Sequence, residues 1–144
     1  MDEIRPWLFI GNIRDTANTS YLAYKSINAI LQLAVPVDHP GISCFYLPVE
    51  DFAPLDFKVL EQGVAIIREQ KDLGKRVLVA CAAGINRSSS FCTAALIAEE
   101  GLGLFDAFKE VKRLHPESMP HEPVWKSLCN YYGEKIPYID VMRL

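Results

Sequence analysis

The sequence contains no Cys-x-x-Cys pair. Its four cysteines, Cys44, Cys81, Cys92 and Cys129, also stand at no metal-ligand spacing from His39, His115 or His121. No metal site is expected, and free thiols in a reducing compartment are. No apolar run approaches the roughly 20 residues that a membrane-crossing helix needs. Basic charge is not in excess: 15 Lys and Arg face 18 Asp and Glu, a net −3. Such a balance offers no general field for nucleic acid or anionic lipid and leaves room only for a small local positive site. There is no internal repeat, low-complexity segment or linker. Asp2 and Glu3 near the start, with no long apolar segment behind them, argue against a secretory signal and set the expectation of a cytoplasmic protein.

What remains is an ordinary globular composition, half apolar and 23% charged. Residues 1–144 read as a single domain with an uninformative tail over residues 134–144, and a monomer is expected. Short strands are expected at Trp7–Ile10, Ile27–Leu33, Ser43–Val49 and Arg76–Ala80. Asp56 reads as the cap of a helix carrying Phe57, Leu60, Val64 and Ile67 at helical spacing and closed by Gly74. Further helices are expected over Ser88–Glu100, across Leu104–Leu114, and from Pro123 to Gly133. Strands alternating with helices predict an α/β fold, with a small, mostly parallel or mixed sheet of about four to five strands flanked by helices. Ligands of such sheets bind at the carboxyl ends of the strands.

Cys81 sits at such an end. "RVLVA" is an uninterrupted apolar strand, and "CAAGINRSSS" carries it into a helix. Backbone N–H groups at a helix start have no intrahelical partner, and the helix dipole adds partial positive charge, so the turn suits an anion. Ala82, Ala83 and Ile85 offer little side-chain polarity, so the backbone must supply the donors, and Asn86 adds no cation. Gly84 permits the left-handed conformation of a tight cradle. Arg87 brings a planar fork that matches two oxygens of a tetrahedral anion. Residues 81–87 thus read as a phosphate-binding loop with a thiol at its floor. Cysteines near helix N-termini and cations hold their thiolate form better than free thiols do. A thiolate under a bound phosphate is placed for in-line attack on phosphorus. Ser88 reads either as a hydrogen-bond donor to the sulfur or as a helix cap.

A departing oxygen needs a proton. Asp51, after the third expected strand and before "FAPLD", is the candidate; Asp56 reads better as a cap, and Glu50 is a weaker rival.

"CAAGINRS" fits the Cys-x5-Arg-Ser/Thr signature, and the chain resembles the dual-specificity protein phosphatase family. "YLPVEDFAPLDF" resembles that family's acid loop. "WLFIGNIRDTANTSYL" and "GLGLFDAFKEVKRLHPESMPHEPVWKSL" are similar to its N-terminal segment and C-terminal helices. The resemblance spans Ile4 to about Tyr132. It implies a protein tyrosine phosphatase-like fold and a two-step hydrolysis of phosphate monoesters that needs no metal or other cofactor. Cys81 would form a phosphocysteine, with Asp51 as acid and then base, and Arg87 and the loop amides on the phosphoryl oxygens. Phosphotyrosine and phosphoserine/threonine of proteins, or small phosphate esters, would be substrates; nucleic acid and membranes would not be partners.

The chain departs from the family at Ala80, where a His usually stands. Ala80 opens an alternative, a weakly active or non-catalytic phosphoprotein-binding protein. The presence of Cys81, Arg87, Ser88 and Asp51 together favours catalysis. His121 stands where relatives often carry Asn and is assigned no role. Asn18 resembles a position near the loop, with a local turn as its plainer reading, and His39 is expected in solvent.

Overall fold

The computed structural model describes residues 1–144. Five strands form one sheet in the order β1-β2-β5-β3-β4. They are β1 (Asp2–Arg5), β2 (Leu8–Gly11), β3 (Ala29–Gln32), β4 (Ser43–Tyr46) and β5 (Val77–Ala80). β5 lies in the middle and pairs in parallel with β2 and with β3; β4 continues the parallel run on β3. β1 closes the other edge antiparallel to β2. All four residues of β5 are fully buried, which is why that strand is apolar throughout rather than alternating.

Seven helices complete the chain: α1 (Ile13–Ala17), α2 (Thr19–Tyr24), α3 (Phe57–Asp72), α4 (Arg87–Glu100), α5 (Leu104–Leu114), α6 (Glu122–Tyr132) and α7 (Tyr138–Met142). Asp56 caps α3 by accepting from the amides of Lys58 and Val59, as its position predicts. α4 is buried from Ser88 to Leu96, and its small residues let neighbours approach closely. Gly63 of α3 shows how tight the approach is: a Cβ there would lie 2.3 Å from a ring carbon of the fully buried Phe91. Larger apolar side chains from α3, α5 and α6, among them Leu60, Phe108 and Trp125, fill the core on this face of the sheet. The opposite face carries a smaller cluster of Phe9, Leu22, Ile27, Ile30, Leu78 and Ala80.

The expected α/β architecture is present, and its sheet is mixed as expected, parallel but for β1. β1, α1, α2 and α7 go beyond the expected elements. β4 is shorter than expected, stopping before Pro48, although the amides of Leu47 and Val49 still bond to the carbonyls of Gln32 and Leu33. The last segment is docked, with Val141 buried and the Trp125 indole donating to the Ile136 carbonyl. No helix is long and apolar enough to cross a membrane.

Candidate active site

β5 ends at Ala80 and α4 begins at Arg87, so residues 81–86 form a tight arc between buried strand and buried helix. Its shape is fixed from outside. The amide of Ile13 donates to the Ala82 carbonyl. A ring nitrogen of His115 lies 2.6 Å from the Gly84 carbonyl. The Met119 amide and the Ser89 hydroxyl both donate to the Ile85 carbonyl. The hydroxyls of Ser89 and Ser90 and the Ser90 amide donate to the Asn86 carbonyl. In a planar trans peptide the N–H points opposite to the C=O. Pinning these carbonyls outward therefore turns the N–H groups of Ala83, Ile85, Asn86 and Arg87 to the concave side. No carbonyl of the chain accepts from them. Gly84 adopts φ +73°, and a Cβ there would lie 2.8 Å from the Gly11 carbonyl oxygen, so glycine is required twice over.

Cys81 lies at the floor, 2% exposed. Its Sγ accepts from the Gly84 amide at 3.3 Å and lies 3.2 Å from Ser88 Oγ. Ser88 is fully buried inside α4, past the cap position at Asn86, and its hydroxyl touches the sulfur. Cys92, one turn further along α4, is buried, and burial pushes its thiol well above the ordinary range, which leaves it inert.

Arg87 Nη1 donates to the Val49 carbonyl at 3.0 Å, and Nη2 lies 3.6 Å from Asp51 Oδ2. Its Nε is buried with no acceptor in the chain. A buried, unpaired guanidinium donor beside a ring of free amides suits an oxyanion that supplies the missing acceptors. The loop that carries Asp51 is anchored at both ends, by Val49 to β3 and by the Leu55 amide to Ser127 of α6. Asp51 Oδ1 accepts from Asn86 Nδ2 at 2.7 Å and lies 3.6 Å from His121 Nδ1. Phe52, at φ +60°, stacks on the His121 ring with centroids 4.2 Å apart. Asp51, Phe52, Cys81, Arg87 and His121 line one cleft of about 180 Å³ together with loop residues.

Cys81, Arg87, Ser88 and Asp51, the residues to which the sequence assigns chemistry, lie together at the loop. Three side-chain roles carry no signal in the sequence. The Asn86 side chain, beyond its place in the loop, ties Asp51 to the His121 amide. His121 faces Asp51, and His115 braces the loop. Of the remaining expectations, Asn18 is a local turn residue that caps α2. His39 is not simply solvated; its Nε2 lies 2.6 Å from the Thr16 carbonyl.

Ala80 has a physical counterpart nearby. In register beside it stands Gln32, fully buried, whose amide donates to Thr16 Oγ1 while its oxygen accepts from the amides of Ala34 and Val35. Thr16 Oγ1 in turn donates to the carbonyl of Ile13, the residue whose amide holds the Ala82 carbonyl. A polar chain from β3 through α1 thus reaches the 81–87 loop without an imidazole at position 80.

Comparison with known proteins agrees with this geometry. A sequence profile described as "Dual specificity phosphatase, catalytic domain" matches residues 8–134. Dual specificity phosphatase 28 of Homo sapiens is 30% identical over 132 residues, covering 89% of this chain and 75% of that protein. Dual specificity protein phosphatase 2 of Mus musculus is 31% identical over 115 residues, covering 77% of this chain but only 36% of that longer protein. The chain thus spans little more than a third of the mouse relative. The crystal structure of human DUSP28 superposes with a TM-score of 0.86 at 28% identity, covering 92% of this chain and 96% of that one.

Proposed function

We propose, since this chain belongs to the dual specificity phosphatase family, that it hydrolyses phosphate monoesters of proteins through a phosphocysteine on Cys81. The observation that carries this reading is the set of inward-facing amides and the unpaired Arg87 Nε above the Cys81 sulfur. Positioned donors of that kind stabilise the charge that a phosphoryl group develops in transfer. In the first step Sγ attacks phosphorus, the bond to the ester oxygen breaks, and protonated Asp51 gives its proton to the leaving alkoxide or phenoxide. In the second step water attacks phosphorus, Asp51 takes its proton, and the phosphorus–sulfur bond breaks. Ser88 then donates to the departing thiolate.

The cleft is small, and Ala82, Ala83 and Ile85 add no cation to it. These features suit a single phosphoryl group of phosphotyrosine or phosphoserine/threonine better than a polyanionic ester. Ala80 favours a second reading, a protein that binds phosphoproteins with little turnover. Hydrolysis of para-nitrophenyl phosphate in the presence of a chelator separates the two. The catalytic reading expects turnover that Cys81→Ser abolishes, and Asp51→Ala to lower kcat by about 100-fold or more with poor leaving groups. Unchanged turnover in Cys81→Ser rejects it, and phosphopeptide binding without turnover favours the second.

A further inference from the structure

His115 ends α5 and is 3% exposed, yet it belongs neither to the cleft lining nor to the apolar core. Its two ring nitrogens are both engaged. Nε2 lies 2.6 Å from the Gly84 carbonyl oxygen, and Nδ1 lies 2.6 Å from Asp2 Oδ2 on β1. Glu117 Oε1 stands 3.3 Å from the same Nδ1. A carbonyl and an ionised carboxylate only accept hydrogen bonds, and a neutral imidazole has a single N–H. Both contacts are satisfied together only by the imidazolium. A metal ion does not account for the geometry: two ligands of one zinc ion stand about 3.3 Å apart, whereas 2.6 Å is the distance of a charge-assisted hydrogen bond.

The consequence falls on one peptide unit. The carbonyl that His115 holds belongs to the Gly84–Ile85 peptide, whose N–H faces the concave side of the loop, and Ile85 lines the cleft. A cation on the carbonyl orients that peptide and pulls electron density from its N–H, making it a better donor to an anion. The other braced carbonyls of the arc receive neutral donors, from Ile13, Met119 and the serines. His115 alone brings charge.

We infer that His115, held as a cation by Asp2, is a positioning residue of the phosphate-binding loop that sets the Ile85 N–H toward the bound phosphoryl group. The inference rests on the phosphatase reading above in requiring the loop to be the anion site. The charged and titratable groups that face the imidazole are Asp2 from β1, Glu117 from the turn after α5, and Cys81 across the Gly84 peptide. Lys112 on α5 is turned away to the Ser118 carbonyl.

The test uses the whole chain with four sequences: wild type, His115→Gln, His115→Arg and Asp2→Asn. Inorganic phosphate binding is measured by calorimetry, and para-nitrophenyl phosphate turnover from about pH 6 to about pH 8.5. Circular dichroism melts establish folding. At the lower pH, His115→Gln is expected to lose roughly tenfold in phosphate affinity and in kcat/KM, the scale of losing a group that orients a site from behind. His115→Arg, which keeps a cation with several donors, is expected to recover most of that loss. A folded His115→Gln with wild-type phosphate affinity overturns the inference, as does His115→Arg no better than His115→Gln. Should His115→Gln fail to fold, Asp2→Asn decides: it is expected to lose several-fold in phosphate affinity and kcat/KM, and wild-type affinity in folded Asp2→Asn overturns the inference. Wild type that binds phosphate while the variants match it sinks this inference alone; wild type that neither binds nor hydrolyses sinks the phosphatase reading and the inference with it.

Discussion

The side chain of Asn86 holds the carboxylate of Asp51 at 2.7 Å and, with its other end, accepts from the His121 amide at 2.8 Å. One residue of the 81–87 loop therefore sets the position of the Asp51 loop and of the start of α6. Asn86 itself is 4% exposed, whereas its partner Asp51 reaches the cleft.

Replacing Asn86 with Ala removes this tie and leaves the loop backbone intact. Asp51 is then expected to spend less time aimed at the leaving oxygen. The predicted loss in kcat is about tenfold with phenyl phosphate and smaller with para-nitrophenyl phosphate, whose leaving group needs less proton assistance. Inhibition by inorganic phosphate should change little, because the amides that bind it are untouched. Equal losses with both esters, alongside weakened phosphate inhibition, would place Asn86 in anion binding instead.

The segment from β5 through the loop into α4 was legible because every local signal there agrees. An unbroken apolar strand, a glycine at the left-handed position and a run of small residues all point to one arrangement. The α3 helix was legible for the same reason, from its Asp56 cap and apolar spacing. β1 was not, since "DEIR" has little strand character and becomes an edge strand only by pairing with β2. α1, α2 and α7 have five or six residues each, too few for a periodic pattern, and they depend on caps and docking. His115 and Asp2 are 113 positions apart, and nothing local to "RLHP" marks the histidine as a brace. The missing imidazole at position 80 was visible, whereas the Gln32–Thr16 chain beside it was not, because a lone Gln in a strand carries no signal of its partners.

Glu99 supplies a test of how α3 is fastened to α4. Its carboxylate accepts from Lys71 Nζ and Arg68 Nε, each at 2.7 Å, and these cations, Lys71 first, hold its carboxyl below the usual range. A carboxyl depressed in the folded state contributes stability above its unfolded value of about 4.3, and that contribution is lost as pH falls through the folded value. Glu99→Gln is expected to lower unfolding free energy by up to about 1 kcal/mol at neutral pH, modest because Arg68 is half exposed. In urea titrations stepped from about pH 7 downward, the gap between wild type and variant should narrow below about pH 4. A gap that stays constant with pH would mean the loss comes from packing and not from the ion pairs.

Ala80→His asks whether the chain lacks an imidazole or has replaced its work. Ala80 is fully buried, in register with Gly11 on one side and Gln32 on the other, within the cluster of Phe9, Leu22 and Ile30. An imidazole there must displace packed atoms, a cost of about 1–3 kcal/mol. It also needs a partner, and the Gln32 amide and oxygen are already committed to Thr16, Ala34 and Val35. The expected result is a lower melting temperature with kcat/KM unchanged within about threefold, because Ile13 and the other donors already fix the loop. The non-catalytic reading expects the reverse, turnover appearing where wild type shows little. A rise of about tenfold or more at an unchanged melting temperature would show that the loop waits for its imidazole, and that the polar chain through Gln32 and Thr16 does not stand in for it.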